Sequence, residues 1–269
     1  MNVLIPMAGE GKRFRDAGYN VSKPAILTYE RRSGRLYPMV VCAALDLYGL
    51  NSDGNNAIFV ERRFHKTDGT ENAIRNVFPK ARFLVVDSLT DGQACTCLVA
   101  EKLINNDEEL LISGCDNGIE YDFARFTEAK KEADVLIFTY RHNEAVLENP
   151  NAYGWVETDS MDTVKRVSVK KAISSHPEDD HAIVATFWFR EGRMFVRAAQ
   201  KMISENDRVN NEFYMDQVMN HAIQLGWHVK VFEVDRYIGW GTPKDYESYQ
   251  KTFDYWRGFW NVIKNNLNE

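Results

Sequence analysis

Short apolar runs and amphipathic segments alternate along the first half of the chain. Apolar runs bounded by polar loops predict buried strands, whereas apolar residues at three- and four-residue steps predict helices. The expected strands are 3–7, 57–60, 82–86, 109–113 and 135–140, and the expected helices are 36–50, 70–77, a segment opening at 91–93, and 122–133. Such alternation is typical of a mainly parallel sheet with helices on both faces.

The pattern changes near residue 141, where polar loops replace the helices between apolar runs. Three strands are expected at 153–158, 164–169 and 183–189, which predicts a small antiparallel insertion. Two helices and a final strand are expected at 191–206, 211–225 and 229–234. The chain is therefore predicted to form one Rossmann-like α/β domain over residues 1–269, with a mainly parallel mixed sheet flanked by helices.

An apolar stripe marks the C-terminal region, which we expect to be a helix over residues 251–269. Its members recur at three- and four-residue steps and are Phe253, Trp256, Trp260, Ile263 and Leu267. A stripe of this kind buries one face of a helix. It packs either against its own domain or against a second copy of the chain, so a homo-oligomer stays open.

Composition excludes several classes of protein. The chain has 269 residues, 44% of them hydrophobic, and a formal net charge of −6. No apolar run approaches the ~20 residues of a membrane span, and the start lacks a secretory signal pattern, so we expect a cytoplasmic protein with no membrane partner. No stripe of lysines and arginines is available to neutralise a nucleic-acid backbone, so nucleic acid is not an expected partner.

A glycine-rich turn follows the first apolar run directly. Gly9 and Gly11 are expected to adopt backbone angles closed to other residues and to let a polyphosphate approach the N–H groups. Lys12 and Arg13 add positive charge to this turn, and Lys23 follows in a Ser-Lys-Pro segment. In a chain that is acidic overall, this concentration of cations predicts a local anion site.

Two common phosphate-binding motifs do not fit the turn. A P-loop has a glycine where this chain has Pro6, and a serine or threonine where it has Arg13. A dinucleotide fingerprint has a third glycine at the position of Phe14, and an acidic residue about 20 positions later at a strand end. What remains is Gly-x-Gly-x-Arg-Phe after a strand, with Lys-Pro downstream.

This combination resembles the signature of nucleotidyltransferases of the sugar-1-phosphate pyrophosphorylase type, close to capsule and cell-surface cytidylyl- and thymidylyltransferases, which use a glycosyltransferase-A-like fold. The resemblance continues in order through residues 90–96, 110–117, 153–156, 169–174, 211–214 and 241–245. It implies a nucleotide-binding half at about 1–140 and an acceptor-binding half at about 141–250. It implies catalytic roles for Arg13 and Lys23, and nucleotide contacts by Met7, Ala8, Gly9, Glu10, Gly11, Lys12, Gly92 and Gln93.

Asp116 follows the fourth apolar run and is the expected metal ligand. A carboxylate at the ligand edge of a buried strand is well placed to hold Mg²⁺, which usually shares its oxygen ligands with substrate phosphates. In the resembling family an aspartate at this position binds the catalytic magnesium, so Mg²⁺ is the expected cofactor. Many members have a second metal-binding aspartate where this chain has Gly239, and Asp235 lies out of register. The alternative is that Asp116 caps a following helix.

The resemblance also implies an acceptor pocket with contacts from Gly154, Glu212 and a lysine for the acceptor phosphate. That lysine is Lys170 or Lys171, and because neighbouring side chains alternate across a strand, only one of them can face the pocket. The family commonly places a glutamate for sugar hydroxyls before its lysine, but no glutamate precedes either lysine here. We therefore expect an acceptor preference that is relaxed or shifted away from hexoses.

The implied reaction is transfer of NMP from an NTP to a small phosphorylated acceptor, such as a sugar 1-phosphate, with release of pyrophosphate. The Asp91-Gly92 pair favours a pyrimidine NTP, and the expected context is synthesis of cell-surface polysaccharide precursors. One alternative is a cytidylyltransferase for a non-sugar phosphate, such as a phosphorylated amino acid, choline or phosphonate. Another is a catalytically silent nucleotide-binding regulatory subunit. A third is a glycosyltransferase, although Asp116-Asn117-Gly118 lacks the usual Asp-x-Asp pair.

Overall fold

A computed structural model describes the backbone of residues 1–266 and the side chains of residues 1–259. The strands are β1 (Asn2–Pro6), β2 (Leu27–Tyr29), β3 (Leu36–Pro38), β4 (Ala57–Arg62), β5 (Arg82–Val86), β6 (Leu110–Ser113), β7 (Asn117–Glu120), β8 (Val135–Tyr140), β9 (Gly154–Thr158), β10 (Val164–Val169), β11 (His181–Phe189), β12 (Val229–Glu233) and β13 (Arg236–Gly239). The helices are α1 (Lys12–Asp16), α2 (Met39–Leu45), α3 (Thr70–Val77), α4 (Gln93–Leu98), α5 (Glu101–Ile104), α6 (Phe123–Glu132), α7 (Gly192–Ser204), α8 (Met215–Gln224) and α9 (Pro243–Asn266).

Nine strands form one mixed sheet that confirms the predicted α/β class. Its order is β10-β9-β11-β6-β1-β4-β5, and β8 pairs with both β11 and β12. β10 and β11 run against the other strands, which share one direction. The strands expected as an antiparallel insertion are β9, β10 and β11. They continue the main sheet, because β11 pairs with β6 along its second half. Two small sheets, β13-β7 and β2-β3, stand apart.

Alternation of side chains along the buried strands builds a core on each face of the sheet. Leu4 of β1 packs with α4, α7 and α8 on one face, whereas Val3 and Ile5 pack with α2, α3 and α6 on the other. Strands buried on both faces are expected to be continuously apolar, as β1 is. The helices therefore hold the carboxyl ends of the central strands in fixed positions.

The periodicity located several elements at their observed bounds, namely β5, β8, β10 and α3. The helix expected over 36–50 is wrong at both ends. Residues 36–38 form β3, which pairs with β2, and the helix covers only Met39–Leu45. Pro38 lies at the N-cap of α2, where its missing N–H leaves no helical bond unmade.

The C-terminal helix begins at Pro243 and not at 251. It is attached to β2 through the Tyr246 hydroxyl, which donates a hydrogen bond to the carbonyl of Leu27 at 2.8 Å. Phe253 stacks on Tyr29 with ring centroids 4.6 Å apart, whereas Trp256 is exposed. The other members of the predicted stripe, Trp260, Ile263 and Leu267, lie outside the described side chains. Across residues 1–266, no helix combines the length and apolar character required to span a bilayer.

Candidate active site

A cleft of about 480 Å³ lies beyond the carboxyl ends of β1, β5 and β6. Ligands of open α/β sheets bind at this edge. The walls come from the turn after β1, the segment between β5 and α4, and the residues after β6. Ten predicted site residues line the cleft: Met7, Ala8, Gly9, Glu10, Gly11, Lys23, Gly92, Gln93, Asp116 and Glu212. Five others do not line it: Lys12, Arg13, Gly154, Lys170 and Lys171.

Gly11 shapes the turn after β1. It precedes α1 with a φ of +63°, and a Cβ there would stand 3.3 Å from the Cβ of Lys23. Gly9 does not adopt a left-handed φ, and a Cβ on it would meet no atom within 4 Å. The expectation that both glycines need special backbone angles is therefore right for Gly11 and wrong for Gly9. Gly9 instead leaves open space on the cleft wall.

Lys23 and Asp116 form the charged centre of the cleft. Lys23 Nζ lies 2.5 Å from Asp116 Oδ2 and donates a hydrogen bond to the carbonyl of Gly241 at 3.2 Å. Burial pushes the pKa of Asp116 upward, but the charges of Lys23 and then Arg13 outweigh it and hold that pKa below its usual value. The carboxyl is therefore ionised at neutral pH, beside a cation that points into the same cleft.

Asp116 occupies the sharp connection between β6 and β7. A strand follows it, so Asp116 does not cap a helix; Asp122 caps α6, accepting a hydrogen bond from the N–H of Arg125 at 2.7 Å. The carbonyl of Asp116 accepts a hydrogen bond from the N–H of Trp240 at 3.0 Å. This bond ties the end of β6 to the segment after β13, and it brings Gly241 to the cleft.

A single carboxylate fits a magnesium ion that takes its other ligands from phosphates and water. Within the described residues, no group of three or more His, Cys, Asp or Glu side chains is arranged to hold a metal. Asp235 is on the surface, where Arg125 pairs with it at 2.5 Å. Asp116 is therefore the carboxylate in the cleft that could hold such an ion.

Gly92 lines the cleft, but its own surroundings also require glycine. It has a φ of +122°, and a Cβ would stand 2.6 Å from the backbone N and O of Phe213. The N–H of Phe213 donates to the carbonyl of Asp91 at 2.7 Å, and the N–H of Ala94 donates to the carbonyl of Phe213 at 3.1 Å. These bonds fasten the segment before α4 to the segment before α8, which carries Glu212.

The two lysines after β10 differ in their surroundings. Lys170 is partly buried and its ammonium donates to the carbonyl of Ala152, whereas Lys171 is exposed. Strand alternation is not the cause, because β10 ends at Val169 and Lys170 has a φ of +55°. Burial lowers the pKa of Lys170, Asp216 raises it, and Arg13 lowers it again. Arg13 thus acts on both Lys170 and Asp116, although its side chain is exposed and does not line the cleft.

Sequence reasoning missed several residues of the site. The hydroxyls of Thr90 and Thr96 lie 2.6 Å apart on the cleft wall. Ala185 adopts a φ of +57° where β11 is irregular, and its carbonyl accepts the N–H of Gly114 at 3.0 Å. Asp216 of α8 lies against Gly154. Ala185 carries no sequence signal for such a position. The two threonines lie in the resembling segment 90–96, and Asp216 is an acidic residue in the first turn of α8, so signals for them existed.

A glycine turn, a lysine and an ionised aspartate at the ligand edge of an α/β sheet define an enzyme that handles nucleotides. The chain matches the nucleotidyl transferase family over residues 2–252. It belongs to that family and is a nucleotidyltransferase, which confirms the resemblance drawn from its sequence. Use of a divalent metal is general in this family.

Solved structures of low sequence identity share the fold. The nucleoside-diphosphate-sugar pyrophosphorylase from Vibrio cholerae has a TM-score of 0.72 at 17% identity, covering 93% of this chain and 99% of that one. The inositol-1-phosphate CTP transferase from T. maritima has a TM-score of 0.66 at 15% identity, covering 94% and 93%. HddC from Yersinia pseudotuberculosis, complexed with GMP-PN, has a TM-score of 0.63 at 17% identity, covering 94% and 99%. No curated protein matches the chain.

Proposed function

We propose that the protein transfers NMP from an NTP to a small phosphorylated acceptor, a sugar 1-phosphate or a related phosphate, and releases pyrophosphate. The observation that carries this proposal is the Lys23–Asp116 pair, held 2.5 Å apart in a cleft that the glycine turn also lines. A pyrimidine NTP and a role in making cell-surface polysaccharide precursors belong to the proposal. The neighbours named for CTP and for sugar nucleotides support it only by analogy of fold.

The chemistry is an in-line displacement at the α-phosphorus. An oxygen of the acceptor phosphate forms the new P–O bond, the bond between the α-phosphorus and the bridging oxygen breaks, and pyrophosphate leaves with the electron pair. Such a transfer depends mainly on positioning and on neutralising charge over the phosphoryl oxygens. No covalent enzyme intermediate is required.

In this proposal the positively charged side chains bind different phosphate groups of the two substrates. Backbone N–H groups of residues 9–12 and the Arg13 guanidinium bind the departing β- and γ-phosphates, because forked donors suit phosphate oxygens. Lys23 turns from Asp116 toward the α-phosphate. Lys170 binds the acceptor phosphate and orients its attacking oxygen.

Asp116 is the residue that would hold Mg²⁺. The bound ion would supply electrostatic stabilisation of the charge that develops on the phosphoryl oxygens. The remaining work falls to the chain: Lys23 counters the negative charge near the α-phosphate, and the glycine turn presents its N–H groups to the leaving group. The carbonyl of Gly241 orients Lys23 through a bond of 3.2 Å.

A second candidate, a cytidylyltransferase for a non-sugar phosphate, is favoured by one observation. Val169, which precedes Lys170 at the end of β10, is apolar where the resembling family commonly has a carboxylate for sugar hydroxyls. Without that carboxylate, β10 offers a sugar no contact for its hydroxyls. A sugar then has no advantage at β10 over a choline, amino-acid or phosphonate acceptor. The choice between the two candidates therefore depends on the acceptor pocket.

A pyrophosphate-release screen tests the proposal. Each of four NTPs is combined with Mg²⁺ and a hexose 1-phosphate, a polyol phosphate, phosphocholine or a phosphorylated amino acid, with acceptor-free reactions as controls. One combination should release pyrophosphate at a rate well above every acceptor-free reaction. Nucleotide binding without release in any combination would contradict the proposal and favour the regulatory subunit.

A further inference from the structure

A second carboxylate, that of Asp216, lies in the acceptor half of the protein. Asp216 stands in the first turn of α8, and a Cβ added at Gly154 would collide with its Oδ2. Only a glycine at 154 therefore lets the carboxylate approach the backbone of β9 so closely. The close approach fixes one oxygen of Asp216 at the start of this strand.

The register of the sheet shows which part of the pocket Asp216 faces. Val169 of β10 pairs directly with Gly154 of β9, and residues directly opposite each other lie on the same face of a sheet. Val169 also packs against the core cluster that contains Met215 and Val218 of α8. Asp216 thus reaches, from the helix above, the part of the sheet where a carboxylate on residue 169 would lie.

The carboxylate of Asp216 is not paired with any other residue that the structure describes. Among the described residues, no hydrogen bond or ion pair joins it to another residue. Burial raises its pKa to about 6, and the charge of Lys170 opposes that rise. Its own backbone N–H lowers that pKa as well. A carboxylate has about four acceptor sites, so sites remain free for the donor of a ligand.

We propose that Asp216 binds hydroxyl groups of the acceptor next to the phosphate bound by Lys170, so that the acceptor is a hydroxyl-bearing phosphate of the sugar or polyol class. This inference rests on the proposed function and deepens it. The carboxylate that β10 lacks is supplied by α8. A hydroxyl of the acceptor donates a hydrogen bond to the carboxylate of Asp216.

The charges around Asp216 favour a hydroxyl over a cationic group such as choline. After burial, the charge of Lys170 has the largest effect on the pKa of Asp216, and Arg13 in turn lowers the pKa of Lys170. A quaternary ammonium placed against Asp216 would lie near the positive charge of Lys170. A hydroxyl brings a donor without a charge and meets no such repulsion.

Calorimetric binding of glucose 1-phosphate, inositol 1-phosphate and phosphocholine, together with steady-state kinetics, tests the assignment. In Asp216→Asn, Kd and KM for the hydroxyl-bearing phosphates should rise about 10-fold or more, since hydrogen bonds to a charged group are among the strong ones. KM for the NTP should stay within about twofold, since the triphosphate lies elsewhere. Asp235→Asn, which removes an exposed carboxylate, is the control. It should change neither the acceptor Kd and KM nor the KM for the NTP.

A transplant of the carboxylate separates recognition from folding. Val169→Glu combined with Asp216→Ala places a carboxylate on β10, opposite Gly154. Compared with Asp216→Ala alone, this double variant should recover at least a tenth of the lost affinity for the hydroxyl-bearing phosphates. A melting temperature measured for each variant shows whether it is folded. If the double variant does not fold, the result with Asp216→Asn decides alone.

The outcomes distinguish this inference from the proposed function. Binding of a hydroxyl-bearing phosphate that Asp216→Asn weakens, without turnover by any NTP, would keep the inference and overturn the function. Turnover with unchanged Kd and KM in Asp216→Asn would keep the function and overturn the inference. Phosphocholine binding more tightly to the wild type than both hydroxyl-bearing phosphates would also overturn it.

Discussion

Lys170 and Lys171 have the same chemistry and different surroundings. Lys170 is partly buried, within the electrostatic influence of Arg13, Asp216 and Asp116, whereas Lys171 is exposed. A buried ammonium that already donates to a carbonyl is held in one orientation, so it loses little further entropy when it binds a phosphate. An exposed lysine must be ordered by the ligand itself.

Substitution of each lysine by alanine should therefore give unequal results. Lys170→Ala should raise the acceptor KM about 10-fold or more, because a charge-assisted contact to the phosphate is lost. Lys171→Ala is the matched control and should change that KM by less than about threefold, as expected for an exposed charge. Equal effects of both variants in steady-state kinetics would show that Lys170 is not the phosphate ligand.

Single residues were predictable where a motif fixed them locally. The glycine turn and Asp116 follow directly after apolar strands, Lys23 belongs to the Lys-Pro segment just downstream of the turn, and these positions line the cleft. An acidic residue in the first turn of α8 offered a signal for Asp216, but its place in the site was missed because Gly154, which it approaches, lies on a distant strand. The choice of Lys170 over Lys171 depends on where β10 ends, which the pattern does not determine.

At the scale of elements, the contact between the segments before α4 and α8 joins the two halves of the site. Two backbone hydrogen bonds connect Asp91 and Ala94 to Phe213, and Arg208 packs over the Phe213 ring at 4.1 Å. Arg208 also pairs with Asp91 at 3.2 Å. These contacts therefore join the wall of the cleft to the segment that carries Glu212.

Gly92→Ala should break this connection. The new Cβ would collide with the backbone of Phe213, and alanine is strained at a φ of +122°. We expect a loss of at least about 2 kcal/mol in the free energy of unfolding, measured in urea, together with a raised KM for the NTP.

Gly226→Ala is the control for backbone strain alone. Gly226 has a φ of +79°, and a Cβ there meets no atom within 4 Å. Gly226→Ala should lower the free energy of unfolding by about 1 kcal/mol and leave the kinetic constants unchanged. Equal stability losses in the two variants, or an unchanged KM in Gly92→Ala, would show that the contact with Phe213 does not shape the nucleotide site.

Elements whose own residues follow a clear apolar pattern were predicted, and elements that depend on distant contacts were not. β5 and β8 lie in the central sheet, and their apolar runs mark them well. β7 and β13 were missed because their pairing depends on Gly118, where a Cβ would stand 3.0 Å from Asp46 and 3.2 Å from Trp240. Such a strand is formed by packing against two distant segments, and no alternation in its own residues indicates it.

At the scale of the whole molecule, Glu61 makes stability depend on pH. Its side chain is fully buried near the carboxyl end of β4, and neither carboxyl oxygen has a hydrogen-bond partner among the described residues. Burial, and then the neighbouring carboxyl of Glu71, raise the pKa of Glu61 to about 8 from 4.5. The folded state thus binds this proton more tightly than the unfolded state. Stability from the protonated carboxyl is fully present below pH 4.5 and is lost as pH rises through about 8.

Glu61→Gln should remove this dependence, since an amide stays neutral. The variant should gain more than about 1 kcal/mol over the wild type in urea unfolding at pH 8.5 and differ little from it at pH 5. Glu128→Gln, which alters an exposed carboxylate, should shift stability by less than about 0.5 kcal/mol at either pH. Parallel stability curves for the wild type and Glu61→Gln across this range would contradict the account.

The central claim is that Asp116, ionised beside Lys23, holds the metal that nucleotidyl transfer requires. Turnover by Asp116→Asn, measured as pyrophosphate release with the best NTP and acceptor at saturating Mg²⁺, tests it most directly. Asparagine keeps the shape and removes the charge, so turnover should fall at least ~100-fold with the melting temperature within a few degrees of the wild type. Asp235→Asn is the control and should retain full turnover. Wild-type turnover by Asp116→Asn would contradict the account.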